Sequence, residues 1–402
     1  MSSISIINKV KYNKNIYKLY NYLGSKMVNL MKCFIRPDDQ LIVFASFGGR
    51  KFDDSPKAIY DAMLHDKRFD KCKLMWAFIK PEDYELPRGE KVRIDTRLYY
   101  KSLLKARVWV TNSSMTRGLN FQGINTFELN TWHGSAIKKM GSDMSKANKS
   151  FYLKGVKTKN RVMLAQGEFD IQVFSKAFRR SINDFRVFGL PRNDVLANVS
   201  KETQRKAKEA LGIQPDKIVI LYAPTFREYD RDNGNNCMLT PPIDLKKWKE
   251  TLGKDHVFLF RAHYEVVKVM NLENDDFVIN VSSHPNLNEL MIASDMLISD
   301  YSSIFFDYSI QGKPMLSFAY DYDRYEKERG MYFDIRKELD CEELNNEDAL
   351  LKEISLMDVE KRSEISKKFR DKYIDEYGNA SQKCLDLLAE VMKCKHPIKY
   401  TL

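Results

Sequence analysis

The chain has 402 residues, with 66 Lys and Arg against 55 Asp and Glu and a formal charge of +11. Hydrophobic residues make up 43% and aromatics 12%, which excludes a disordered chain, and 17 Gly with 12 Pro exclude a collagen-like or low-complexity one. At about 150 residues per domain the length suggests two or three domains.

No apolar run reaches the roughly 18–20 residues of a membrane-spanning helix, and the N-terminus lacks a secretory pattern. The six cysteines are scattered without a CxxC pair, which fits a reduced cytosolic protein and indicates neither a zinc site nor a disulfide framework. The charge is local. Residues 1–37 hold seven basic residues and no acid, residues 144–167 hold six more and no acid, and the remainder is close to neutral. Such segments serve an anionic surface.

In chain order, Ile16, Leu19, Tyr20, Leu23, Met27, Leu30, Met31 and Phe34 recur at helical spacing. Lys9, Lys11, Lys14, Lys18, Lys26, Lys32 and Arg36 accompany this stripe. The pattern predicts an amphipathic helix over 1–37 that lies on an anionic membrane. The bland alternative packs the stripe on the protein's own core. From residue 38 short apolar runs alternate with helical stretches. Strands are predicted at 41–47, 74–79, 92–94, 108–111, 126–129, 162–165 and 186–188, with helices at 55–65, 96–105 and 171–181. A polar, lysine-rich stretch at 200–209 interrupts the rhythm. Further strands are predicted at 218–223, 257–261, 277–280, 296–299 and 315–318, and helix from 345 onward. This alternation predicts an α/β protein of two Rossmann-like domains facing a cleft, over 38–198 and 199–402. No GxGxxG fingerprint supports a dinucleotide cofactor.

Four motifs carry candidate chemistry. Trp132-His133-Gly134 follows a predicted strand, where His133 can act as a general base at neutral pH. Lys138 and Lys139 suit an anionic reactant; a structural histidine is the alternative. Arg261-Ala262-His263 ends another strand, so Arg261 and His263 can meet one phosphate, or Arg261 can pair with a carboxylate instead. Asp300-Tyr301-Ser302-Ser303 runs into a helical pattern that includes Asp307. Its helix start and hydroxyls suit a phosphate, although an N-cap explains the same letters. Asp307 suits ribose hydroxyls or is simply a surface carboxylate. Thr225 and Arg227 in Ala223-Pro224-Thr225-Phe226-Arg227 suit a nucleotide, or ordinary turn chemistry. Asp321 and Asp323 are weak candidates for a divalent metal. No nucleic-acid-binding motif accompanies the basic residues near 149–159.

Together these motifs resemble the CDP-glycerol glycerophosphotransferase family, the wall teichoic acid primases and polymerases. The resemblance rests on Trp132-His133-Gly134 with Lys138-Lys139-Met140-Gly141, on Leu221–Arg227, on Arg261-Ala262-His263 and on Ser299–Ser303 with Gly312-Lys313-Pro314. Asp54-Ser55-Pro56-Lys57 adds to it, and order and spacing agree across residues 40–335. Ser135-Ala136 departs from the commoner Thr-Pro. The resemblance implies a type-B glycosyltransferase fold on a peripheral protein at the cytoplasmic face of a bacterial membrane. It implies transfer of glycerol phosphate from CDP-glycerol to a lipid-linked saccharide or a growing teichoic-acid or capsule-type polymer, with release of CMP. CDP-ribitol as donor, or a nucleotide-sugar glycosyltransferase of the same fold, are the alternatives. His133 and His263 map onto the catalytic histidines. Thr225, Arg227, Arg261, Asp300, Ser302, Ser303 and Asp307 fall on the donor side, and Gly134, Lys138 and Lys139 on the acceptor side. No resident metal or nucleic-acid partner is implied, and a divalent cation with the CDP donor is left open.

Overall fold

The computed structural model describes residues 13–144, 160–225, 227, 241–262 and 274–394. Lys9, Lys11, the Lys14 side chain, His263 and the lysines at 146–159 lie outside the described residues. The chain divides into two compact units, one of residues 1–133, 140–194 and 375–402, the other of 134–139 and 195–374.

Seven parallel strands build the first unit: β1 (Asp38–Ala45), β2 (Lys73–Phe78), β3 (Glu90–Arg93), β4 (Ala106–Thr111), β5 (Phe127–Asn130), β6 (Arg161–Ala165) and β7 (Phe185–Val187). Their order is β3-β2-β1-β4-β5-β6-β7. Each predicted strand is present, shifted by no more than a few residues. The strands are apolar at odd and even positions alike because both faces are covered. Ile42 and Phe44 point into a layer closed by Ile59, Tyr60 and Met63 of α2 (Asp54–Leu64) and by Cys384, Leu385 and Leu388 of α13 (Ala380–Lys393). Leu41 and Val43 point the other way, onto Tyr99, Leu103 and Leu104 of α3 (Arg97–Lys105) and Val28 of α1 (Lys14–Met31). Between β6 and β7 stands α4 (Glu168–Ala177).

The second unit has five parallel strands, β8 (Ile218–Ala223), β9 (His256–Phe260), β10 (Val278–Asn280), β11 (Met296–Ser299) and β12 (Met315–Ser317), in the order β10-β9-β8-β11-β12. Its helices are α5 (Lys201–Ala210), α6 (Leu245–Leu252), α7 (Leu287–Ala293), α8 (Ile304–Ser309), α9 (Tyr322–Arg329), α10 (Ile335–Glu338), α11 (Glu347–Ser355) and α12 (Val359–Tyr373). The polar stretch that broke the sequence rhythm is α5. Its attachment is ionic as much as apolar: Lys208 is buried, with Nζ 2.8 Å from Asp295 Oδ2 and 2.8 Å from the Lys217 carbonyl.

Two departures from the sequence division have physical causes. The last helix, α13, belongs to the first unit, because Leu385, Leu388 and Val391 complete one face of the seven-stranded sheet. Residues 134–139 belong to the second unit, tied by hydrogen bonds from Lys139 N to Gly330 O (2.9 Å) and from Tyr332 N to Ile137 O (2.8 Å). In each sheet the strand order reverses once, between β1 and β4 and between β8 and β11. Loops at the carboxyl ends of strands beside such a reversal are where open parallel sheets bind ligands.

Candidate active site

His133 lies just beyond β5, beside the reversal point of the first sheet. Its Nδ1 is 2.7 Å from the main-chain oxygen of Asn112, which follows β4. A carbonyl only accepts, so Nδ1 carries the proton and Nε2 keeps its lone pair. The ring packs on Trp132 (centroids 4.1 Å) and Phe47 (5.7 Å), and Trp132 in turn on Phe178 (4.6 Å). Burial holds the His133 imidazole below the ordinary value of 6.5. The Asn112 carbonyl and the Asp54 carboxylate oppose that shift, and Arg192 adds to it. Asp54 and Arg192 form a largely buried ion pair at 2.9 Å.

The backbone around this histidine is strained. Among the described residues seven non-glycine residues have positive φ, and five of them (Phe47, Asp54, Asp95, Arg117 and Trp132) follow carboxyl ends of strands in this one sheet. Each such residue costs roughly 1–3 kcal/mol and persists only when its surroundings over-determine it. Here they do. Phe47 N donates to Asn112 Oδ1 (2.7 Å), Gly48 N to Ser113 Oγ (3.0 Å), and Trp132 N to Asn130 Oδ1 (2.9 Å). Asn112 is fully buried and ties together His133 and the 46–49 turn; its Nδ2 has no partner among the described residues. Asn112, Arg192 and Phe47 were not singled out from the sequence. The polar run Thr111-Asn112-Ser113-Ser114 closing an apolar strand was the available signal.

In the second unit the candidate donor residues gather at the β8–β11 reversal. Asp300 accepts from Thr225 N (2.9 Å), Tyr301 N (2.6 Å) and Arg227 Nη1 (2.8 Å). Arg227 also donates through Nε to Asp321 Oδ2 (2.8 Å), and Tyr301 Oη donates to Asp321 Oδ1 (2.9 Å). The guanidinium sits over the rings of Tyr301, Tyr320 and Tyr325. Burial works against its charge, and the Asp300 and Asp321 carboxylates override that and hold its pKa above the ordinary arginine range. Arg227 and Asp300 are each about 2% exposed. Both were placed on the donor side by the sequence; in the structure they pair with one another and hold the loop that follows β11. Asp321, a weak candidate for a metal, is spent on the same arginine. Among the described residues no three His, Cys, Asp or Glu side chains stand together as a metal site.

Ser302 and Ser303 are half-buried at the end of that fixed loop, where Ser302 Oγ accepts from Ile304 N (3.3 Å). Thr225 Oγ1 is buried with no partner among the described residues. Asp307 is 3% exposed, so it is no surface carboxylate. Arg261 donates to the carbonyls of Val281 (3.1 Å) and His284 (2.9 Å). Gly134 is buried at φ +139°, backbone that a side chain rarely adopts. Lys138 approaches the Tyr325 ring at 5.9 Å, and Lys139 is exposed.

The N-terminal helix divides its surface in an unexpected way. Tyr17, Tyr20, Asn21 and Asn29 donate to carbonyls of residues 117–120, Gly24 fits against Leu119, and Val28 is fully buried. Of the eight residues of the predicted stripe, Tyr20 and Met31 pack on the core of the first unit, and Ile16, Leu19, Leu23, Met27, Leu30 and Phe34 stay outside, 42–84% exposed. The asparagines and glycine that interrupt the apolar pattern are the docking face. No helix among the described residues is long and apolar enough to cross a membrane. Arg161, counted with the second basic segment, is paired with Asp184 at 2.8 Å in the sheet.

Two parallel α/β sheets with these strand orders, carrying a tautomer-fixed histidine and a serine loop at strand ends, make the type-B glycosyltransferase fold. The sequence matches the family described as CDP-Glycerol:Poly(glycerophosphate) glycerophosphotransferase over residues 27–390, and the chain belongs to that family. It is 32% identical to a teichoic acid poly(glycerol phosphate) polymerase of Staphylococcus epidermidis, covering 88% of this chain and 51% of that protein. The chain thus spans about half the length of that relative. It is 31% identical to a teichoic acid glycerol-phosphate transferase of Staphylococcus aureus, covering 86% of this chain and 92% of that one. Among solved structures it is similar to the wall teichoic acid polymerase TagF, in a histidine variant soaked with CDPG. The TM-score is 0.81 at 29% identity, with 94% of this chain and 96% of that one covered.

Proposed function

We propose that this protein transfers glycerol phosphate from CDP-glycerol to a hydroxyl of a lipid-linked saccharide or a growing teichoic-acid or capsule-type polymer. The observation that carries the reading is His133, held with Nε2 as a lone-pair acceptor at a strand end in a chain matched by the family over residues 27–390. The CDPG soak of TagF supports the donor. CDP-glycerol would bind the second unit, its pyrophosphate on Ser302 and Ser303 with Arg261 and His263 beside it. Nε2 of His133 takes the proton of the acceptor hydroxyl. The oxygen bonds to the phosphorus that carries glycerol, the bond from that phosphorus to the bridging oxygen breaks, and CMP leaves with the electron pair. Positioning and charge stabilisation supply most of the rate in such transfers. A divalent cation arriving with the donor would neutralise pyrophosphate charge; the described residues offer it no ligand cluster.

The exposed apolar stripe of α1, with Lys18, Lys26, Lys32 and Arg36 around it, supports a peripheral seat on the cytoplasmic face of the membrane. The test of function is nucleotide release from purified protein given CDP-glycerol, CDP-ribitol or nucleotide sugars with a lipid-linked acceptor. CMP from CDP-glycerol is the expected result. CMP from CDP-ribitol alone changes the donor, and turnover of a nucleotide sugar alone discards the phosphotransfer mechanism.

A further inference from the structure

A rigid turn beside His133 is flanked by two guanidinium groups, one from the residue after it and one from the segment after β4, that the chemistry above leaves unused. In the turn 47–49 three consecutive residues, Phe47, Gly48 and Gly49, take φ of +48°, +63° and +80°. Every N–H of the three is bonded: Phe47 to Asn112, Gly48 to Ser113, and Gly49 to the Ser46 carbonyl at 2.8 Å. The carbonyl side is pinned too, since Gly49 O accepts from Ile79 N (2.8 Å) and Arg50 O from Tyr84 Oη (2.8 Å). With its amides spent, the turn's backbone binds nothing itself. It serves as a mount.

Positive charge stands around it. The point where a Gly48 side chain would begin is 3.6 Å from Arg117 Nη1 and 3.7 Å from Arg50 Nη1, so two guanidinium heads flank one bare stretch of backbone. Arg50 is exposed and anchored by a 2.8 Å hydrogen bond from Nη1 to Phe47 O. Arg117 is backed by a two-pronged pair with Asp95 (3.1 and 3.0 Å), the carboxylate that faces this group. Lys51 follows, with its ammonium 5.5 Å from the centre of the Phe47 ring, and that same ring packs on His133 at 5.7 Å. The charges therefore stand around Phe47 and Gly48, one aromatic ring removed from the proposed base and on the unit that carries it.

We propose that Arg50, with Arg117 and Lys51, binds a phosphodiester of the acceptor, so that His133 works on a hydroxyl whose own chain carries phosphate close behind it. A guanidinium fork matches a phosphodiester's two free oxygens, and a pre-organised mount lowers the ordering cost of binding. The preferred acceptor is then a chain that already bears glycerol phosphate, and a neutral alcohol is a poor one. This inference rests on the proposed function for its meaning, but binding can be measured without turnover.

The test has two arms. In the first, short glycerol phosphate oligomers and neutral glycols of equal length are compared as acceptors for wild type, Arg50→Gln, Arg50→Lys and Lys51→Gln. Loss of one charge-assisted bond predicts a rise of about tenfold or more in KM for the phosphate-bearing acceptor in Arg50→Gln. kcat should change little and the neutral acceptor should be unaffected. Arg50→Lys should fall between, because it keeps the charge and loses the fork. Equal changes for both acceptors, or none, overturn the proposal. In the second arm, equilibrium binding of the oligomer is measured without donor, to wild type and Arg50→Gln at two salt concentrations. Binding that weakens in the variant and with salt supports the site; binding indifferent to Arg50 overturns it. If wild type releases no CMP from CDP-glycerol, the proposed function fails while the second arm still decides the subsite.

Discussion

Replacing His133 by alanine removes the only proton acceptor the proposal uses, and general-base help is worth about 10²–10⁴-fold. His133→Ala should lower CMP release by that factor while equilibrium binding of CDP-glycerol stays the same, because the serine loop is untouched. The pH profile carries a second signature. Burial favours the neutral imidazole, so the base remains available below 6.5. The acid limb of kcat/KM should accordingly fall at a pH lower than an ordinary histidine gives. The same shift acts on stability. The unfolded chain binds the proton more readily, so this contribution is complete above 6.5 and is lost as pH falls through the lower folded value. Arg227 separates a structural role from a ligand contact. Arg227→Met strands the buried carboxylate of Asp300 and the part-buried one of Asp321, and should cost about 3–5 kcal/mol in denaturant unfolding of the second unit. Ser302→Ala should leave that transition in place and raise the KM for donor. His133 could be picked out from sequence because histidine beside glycine at a strand end is a chemical signal in itself. The role of Arg227 could not, because its partners lie 73 and 94 residues away.

At the scale of elements, α1 presents two faces with separable consequences. Leu23→Glu or Leu30→Glu alters the exposed stripe and should weaken binding to anionic liposomes without moving the melting temperature. Each nearby basic residue adds roughly 1 kcal/mol to such binding. Val28→Ala opens a hole in the core and should cost about 2 kcal/mol while liposome binding persists. If both variants lose stability equally, the stripe is a packing face. The helical period was legible in the sequence, but the direction of docking was not. Asn21, Gly24 and Asn29 looked like blemishes in an apolar pattern, and only the carbonyls of residues 117–120 turn them into a docking surface. The helix α5 misled for a related reason: Lys208 and Asp295 anchor it, and an ion pair leaves no apolar periodicity to read.

For the whole molecule, the last helix decides what can be removed. α13 fills the face of the first sheet with Cys384, Leu385, Leu388 and Val391, all at most 3% exposed, although 180 or more residues of the second unit precede it. Deleting residues 375–402 should abolish cooperative unfolding of the first unit, while the second keeps its own transition and near-native circular dichroism. Loss of both transitions would show that the units fold as one.

Twelve strands, their parallel alternation with helices, and the positions of His133 and the serine loop followed from the amino-acid sequence by itself. Apolar runs in doubly covered strands are local patterns, and turn residues at strand ends mark themselves. Tertiary structure alone decided which carboxylates Arg227 occupies, which face of α1 meets the protein, which unit owns α13, and that Asn112 and the 47–49 turn hold His133. Those outcomes depend on strand order and on contacts between distant segments, and a sequence carries no local pattern for a partner that only folding brings near.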